Sequence, residues 1–147
     1  MEKFFYIFSL SFCLAACGGP PVSGGLEPGS LDPARLNSIW QLVAINGEAI
    51  DPAGATPPYL DLNLETGHAS GFGGCNEFDG TLVLKAENII IGSVAATNKK
   101  CAAYLLERKF ILAISGREHK YTYPAAGELL LKSIQSELEF TRVGGEE

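Results

Sequence analysis

Basic residues are in short supply in this chain of 147 residues: 11 Lys and Arg stand against 17 Asp and Glu, for a formal net charge of −6. A nucleic-acid partner calls for a basic face, so that class is excluded. Apart from Lys99-Lys100 the cations are scattered along the sequence, which leaves no polybasic run for a membrane surface. Histidine is scarcer still. His68 and His119 can be drawn with Cys75 and Cys101 as a zinc set, but the spacings fit no ligand pattern, so no metal and no cofactor are expected. Each histidine reads as a surface or turn residue. The longest apolar run, Phe4 to Leu14, is too short to span a bilayer. No internal repeat is visible. Hydrophobic residues make up 46% and charged residues 19%, the balance of a globular chain rather than a disordered one.

The short apolar run has a different use. Lys3, the run itself and the small residues after it read as an export signal over residues 1–16. Leu14-Ala15-Ala16-Cys17 resembles the bacterial lipobox, in which the cysteine sulfur takes the diacylglycerol thioether. The alternative is an ordinary cleaved signal with Cys17 left free. Acylation at Cys17 implies a membrane anchor on the mature N-terminus, since two or more acyl chains hold stably where one does not. Gly18 after the cysteine points, by the sorting pattern of such proteins, to the outer membrane on its periplasmic side. Residues 17–32 are rich in Gly and Pro and read as a linker of roughly 20 Å reach as a flexible coil.

Residues 33–143 then read as one domain, with 144–147 as a disordered tail. Asp32-Pro33 has the cap-then-proline pattern of a short helical turn. Ile39 to Ile45 reads as a strand closed by Asn46-Gly47, and Trp40 within it as a core residue, with ligand stacking as the alternative. Tyr59 to Glu65 alternates, with Leu60, Leu62 and Leu64 on one face. His68 to Phe72 completes a hairpin with it. Thr81 to Lys85, Asn88 to Ile91 and Val94 to Thr97 follow as strands. Tyr121 to Tyr123, Glu128 to Lys132 and Glu137 to Val143 close the chain, with Leu129 and Leu131 matching Leu138 and Phe140 across a turn at Gln135-Ser136. The fold expected is mainly β: an antiparallel small barrel or rolled sheet of about seven or eight strands. One α-helix is expected near 101–115. Ala102, Ala103, Leu106, Phe110 and Ala113 share its inner face. Tyr104, Arg108 and Ile111 lie on the other side, either partly covered or a contact patch for a partner.

Gly71 to Gly80 (GFGGCNEFDG) is the densest signal. Glycine there suits a tight strand-to-strand corner where the backbone takes φ > 0 or passes close to a neighbour. No Lys-Ser/Thr follows, so the run is not a phosphate loop. Asn76 is expected to bond the backbone of its own turn, and Asp79-Gly80 reads as a turn. Taken together, Trp40-x-Leu42, then Gly71-x-x-Gly74-Cys75-Asn76-x-Phe78-x-Gly80, then Thr97-x-x-x-Cys101, resemble the META domain family, the HslJ-like lipoproteins of bacterial envelopes. Glu107-x-x-Phe110-Ile111-x-Ala113 fits its helix, and Leu138-x-Phe140-x-Arg142 its closing hairpin. Lys99-Lys100 departs from the Met-Ala pair common there. The resemblance implies a barrel-like fold with one helix and a broad role in envelope stress tolerance or assembly. It implies no catalytic residue.

Chemistry is thin. With Cys13 removed with the leader and Cys17 acylated, Cys75 and Cys101 form an even pair, read as a disulfide in an oxidising compartment or else as two buried thiols. A disulfide there removes the nucleophile a thiol hydrolase needs. The chain is therefore expected not to be an enzyme. Two functions are expected in its place: a non-catalytic, membrane-anchored module contacting another envelope protein, or a carrier holding a lipid or hydrophobic peptide tail in an apolar barrel cavity.

Overall fold

The computed structural model describes residues 31–51 and 56–144; the expected leader, acylated Cys17 and most of the linker lie outside the described residues. Among the described residues, ten strands and one α-helix follow a 3-10 turn over Pro33–Leu36. They are β1 (Ser38–Ile45), β2 (Glu48–Ala49), β3 (Tyr59–Asn63), β4 (His68–Phe72), β5 (Glu77–Lys85), β6 (Asn88–Ile91), β7 (Ala95–Ala96), α1 (Tyr104–Ile114), β8 (Arg117–Thr122), β9 (Glu128–Lys132) and β10 (Glu137–Arg142). Eight of the strands close an antiparallel barrel in the order β10-β9-β8-β6-β5-β4-β3-β1, sealed where β1 pairs with β10. The short β2 and β7 add to β1 and β5.

The barrel is filled. Trp40, Leu42, Leu60, Leu62, Leu82, Ile89, Ile91, Tyr121, Leu129, Leu131, Leu138 and Phe140 alternate inward from their strands and are each no more than 3% exposed. The expected cross-strand pairs are present, with Leu129 opposite Phe140 and Leu131 opposite Leu138. Closing the sheet removes its edges, and burying this many large side chains at ~1.5–3 kcal/mol each supplies the main drive for folding.

The barrel has two poles, and each is stopped by a different element. At one, the 3-10 turn lies across the opening: Asp32 Oδ1 accepts from Ala34 N at 2.9 Å, and Pro33 suits its first position. This seats Leu36 in the core, where its carbonyl accepts the Trp40 indole N–H at 3.0 Å. Trp40 is thus a core residue with its polar handle satisfied. At the other pole α1 inserts Phe110, which meets Phe78 edge-on at 5.8 Å and Phe140 at 6.2 Å. Loops around that pole hold the helix in place. Ser136 Oγ donates to the Ala113 carbonyl at 3.3 Å, and Val94 N donates to Ser115 Oγ at 3.0 Å.

Several expectations are corrected. β5 begins at Glu77, so Asp79-Gly80 is not a turn; Gly80 sits within the strand opposite Ala69, where a Cβ would stand 3.2 Å from the Ser93 carbonyl oxygen. β8 begins at Arg117, four residues earlier than its aromatic end suggested, and it turns His119 inward to complete burial. The helix starts at Tyr104, because the preceding residues are tied to the glycine corner. Ala102 is left exposed rather than on a buried face.

Candidate functional site

The glycine-rich corner between β4 and β5 lies at the α1 pole, and its chemistry centres on a buried carboxylate. Glu107, in the first turn of α1, is 6% exposed and points into the corner. Its Oε2 accepts from Cys75 N at 3.2 Å and, in a short hydrogen bond, from Asn76 N; its Oε1 accepts from Asn76 Nδ2 at 2.7 Å. Three N–H groups on one carboxylate are charge-assisted bonds of the strong kind. The glycines make room for it. A Cβ on Gly73 would stand 2.6 Å from Glu107 Cγ, and one on Gly71 would run into the Tyr59 carbonyl oxygen. Gly74 takes φ 105, outside the range ordinary residues adopt.

Asn76 is the second hub. Its expected bond to the backbone of its own turn is replaced by contacts across the chain, because the carboxylate and the 97–99 segment both come within reach. Oδ1 accepts from Thr97 Oγ1 at 2.8 Å and from Lys99 N at 2.6 Å, while Nδ2 donates to the Lys99 carbonyl at 3.1 Å as well as to Glu107. All four bonds open to an amide side chain are made. A Cys75–Cys101 disulfide, with Cα atoms 5.9 Å apart, fastens the same two segments, one residue before Asn76 and two after Lys99. Cys75 is half-buried and Cys101 exposed, so the pair does not match the alternative of two buried thiols.

This constellation is a clasp. Its nucleophile candidate is spent in the disulfide, and the carboxylate is committed to three N–H donors. Of the residues expected to matter, Gly71, Gly74, Cys75, Asn76, Phe78 and Cys101 meet at or beside it. Gly80 lies further along β5, and Trp40 stops the opposite pole. Glu107 was visible in the helix motif but carried no assigned role; an acid on an otherwise apolar helix face was the signal.

His119 is also corrected: it is fully buried, not at the surface, and neither ring nitrogen has a hydrogen-bond partner among the described residues. Burial pushes its pKa down to about 4, so the ring is neutral near pH 7. At the other pole Tyr123 donates to the Asp32 carbonyl at 3.2 Å, under the Arg35 guanidinium 4.0 Å above its ring. Burial raises the pKa of both Tyr121 and Tyr123. No group of three or more potential metal ligands occurs among the described residues.

The outer side of α1 is different in kind. Tyr104 is 47% exposed and Arg108 is open to solvent, whereas Ile111 is half-buried against the core. The apolar groups that do face outward are Tyr104, Leu105 and Leu112. Beside them run two surface grooves. One of about 340 Å³ is bounded by Ile45, Leu112, Ala113 and Arg117, and one of about 320 Å³ by Ile50, Leu105 and Leu106.

Comparison with known proteins fits this architecture. A protein of Burkholderia xenovorans solved by NMR is 28% identical and superposes with a TM-score of 0.60, covering 84% of this chain and 96% of that one. A second NMR structure, 20% identical, shares the fold with a TM-score of 0.58 over 73% of this chain and 90% of its own. No curated protein matches the chain. The family model for the META domain matches residues 34–144, which spans the barrel, its clasp and its helix, and the chain belongs to the META domain family.

Proposed function

We propose that the domain is a non-catalytic interaction or assembly module of the bacterial envelope, tethered to the outer membrane through lipid on Cys17 and contributing to stress tolerance. The observation that carries this reading is the filled interior. Trp40, Phe78, Phe110 and Phe140 occupy the space a carrier would leave for cargo, and each is at most 3% exposed. The grooves among the described residues lie on the surface. That weighs against the carrier of a lipid or peptide tail and leaves the outside of the barrel as the working part. The clasp supports the same reading, since its groups are consumed in holding the corner to the helix.

Native mass spectrometry of the protein taken gently from membranes tests the proposal. The expected mass is that of the acylated chain less two hydrogens, with nothing released on denaturation, and Cys17→Ser abolishes both acylation and membrane retention. A lipid or peptide released on unfolding overturns the module in favour of the carrier. Turnover of an ester, peptide or glycan substrate by the purified domain overturns it in favour of an enzyme.

A further inference from the structure

Cations that look scattered in the sequence are gathered by α1 and its flanks. Residues 99–117 hold Lys99, Lys100, Arg108, Lys109 and Arg117 but only one acid, Glu107, and that one is turned into the clasp. In a chain of net charge −6 this stretch stands out in sign, and the acids that line the grooves beside it, Glu48 and Asp51, come from β2 and the residues after it. It also presents apolar surface: Leu105 and Leu112, seven positions and so two turns apart, are 72% and 57% exposed. Ile134, in the β9–β10 turn beside the same pole, is fully exposed. Lys109 and Glu48 line both grooves and are paired at 3.4 Å, while Arg117 donates to Gln135 Oε1 at the rim of the first. Arg108 has no ion pair among the described residues.

We propose that this face docks an acidic amphipathic segment of a partner protein, with an apolar side chain seated in each groove and its carboxylates set against Arg108, Lys109 and Arg117. The proposal deepens the interaction-module reading and rests on it. Charge complementarity selects an acidic partner. Two concave grooves flanking a helix suit individual side chains of a peptide rather than a flat bilayer. The described chain begins at the opposite pole, beside Trp40 and Tyr123, so a tether on its N-terminal side joins the domain at the pole away from α1. A second copy docked helix to helix would set Arg108 and Lys109 against their own counterparts, which disfavours self-association.

The test places a photo-crosslinking amino acid at Leu112 in the full chain, in the cells that make it, with Val83, 53% exposed on β5, as the control position. The expected result is an adduct at Leu112 to one polypeptide, through a segment mixing Asp or Glu with large apolar residues. Arg108→Glu combined with Lys109→Gln lowers the adduct yield at least tenfold while the circular dichroism stays that of the folded domain. The purified Cys17→Ser protein, which lacks the lipid, does not bind phosphatidylglycerol vesicles. Adducts to lipid or to a second copy, vesicle binding, or indifference to the charge reversal overturn the proposal. Adducts at Val83 alone overturn this face and leave the interaction reading standing; none at either position overturns both.

Discussion

Replacing the Glu107 carboxylate with an amide tests the clasp at its narrowest point. Whichever way a glutamine is turned, its NH2 faces either the Cys75 and Asn76 backbone N–H groups or Asn76 Nδ2, donor against donor. Glu107→Gln is expected to cost about 2 kcal/mol, from ~1–3 kcal/mol per unsatisfied buried group, lowering the melting temperature by roughly 10 °C in a domain of this size. Thermal unfolding followed by circular dichroism reads it. His119 makes a second prediction. Its pKa is 6.5 when exposed and about 4 in the fold, so the unfolded chain takes up the proton first as pH falls. The stability from this group is complete above pH 6.5, falls between 6.5 and 4, and levels off below 4. The total loss is about 3 kcal/mol, because each tenfold difference in proton affinity between the two states is worth ~1.4 kcal/mol. Urea titrations at pH 7.5, 5.5 and 4 are expected to show the loss, and His119→Phe to flatten it across that window.

At the scale of elements, the disulfide and the start of α1 act together. Cys75 and Cys101 are 26 positions apart, a loop whose closure contributes about 3–4 kcal/mol on the chain-entropy model. Cys101→Ser is expected to lose most of that, yet Asn76 still grips Thr97 and Lys99, so α1 keeps its place. Amide exchange should accelerate over 100–103 but not over Phe110–Ile114; loss of protection through the whole helix would show that the sulfur bridge, not Asn76, seats it. Elements were legible in the sequence where one face is buried and the other wet. The Leu60-x-Leu62 alternation and the Leu129/Leu131–Leu138/Phe140 hairpin are of that kind. They were obscured where a long-range contact decides the outcome. β8 reads Arg-Glu-His-Lys, and only the fold reveals that its histidine points inward. The corner was legible as a corner because glycine leaves a steric trace. Its partner was not, since a single Glu on a helix says nothing about which of many N–H groups it will meet.

For the whole molecule, the arrangement of the two poles matters more than any one contact. β1 runs about 23 Å, from the seven steps of ~3.3 Å between its eight residues, and carries the chain from the pole of Trp40 to the pole of α1. Both ends of the described chain lie at the first of these, where Val143 N donates to the Ile39 carbonyl at 2.9 Å and Trp40 is opposite Arg142. This has a mechanical consequence. Force applied between the two ends of the domain peels β10 from β1 one hydrogen bond at a time. Force applied between residue 31 and α1 runs along the strands and loads the ladders on both sides of β1 in parallel. Single-molecule pulling is therefore expected to give a higher rupture force from the N-terminus to position 112 than from the N-terminus to position 144. A domain held at one pole and grasped at the other resists tension in its strongest direction.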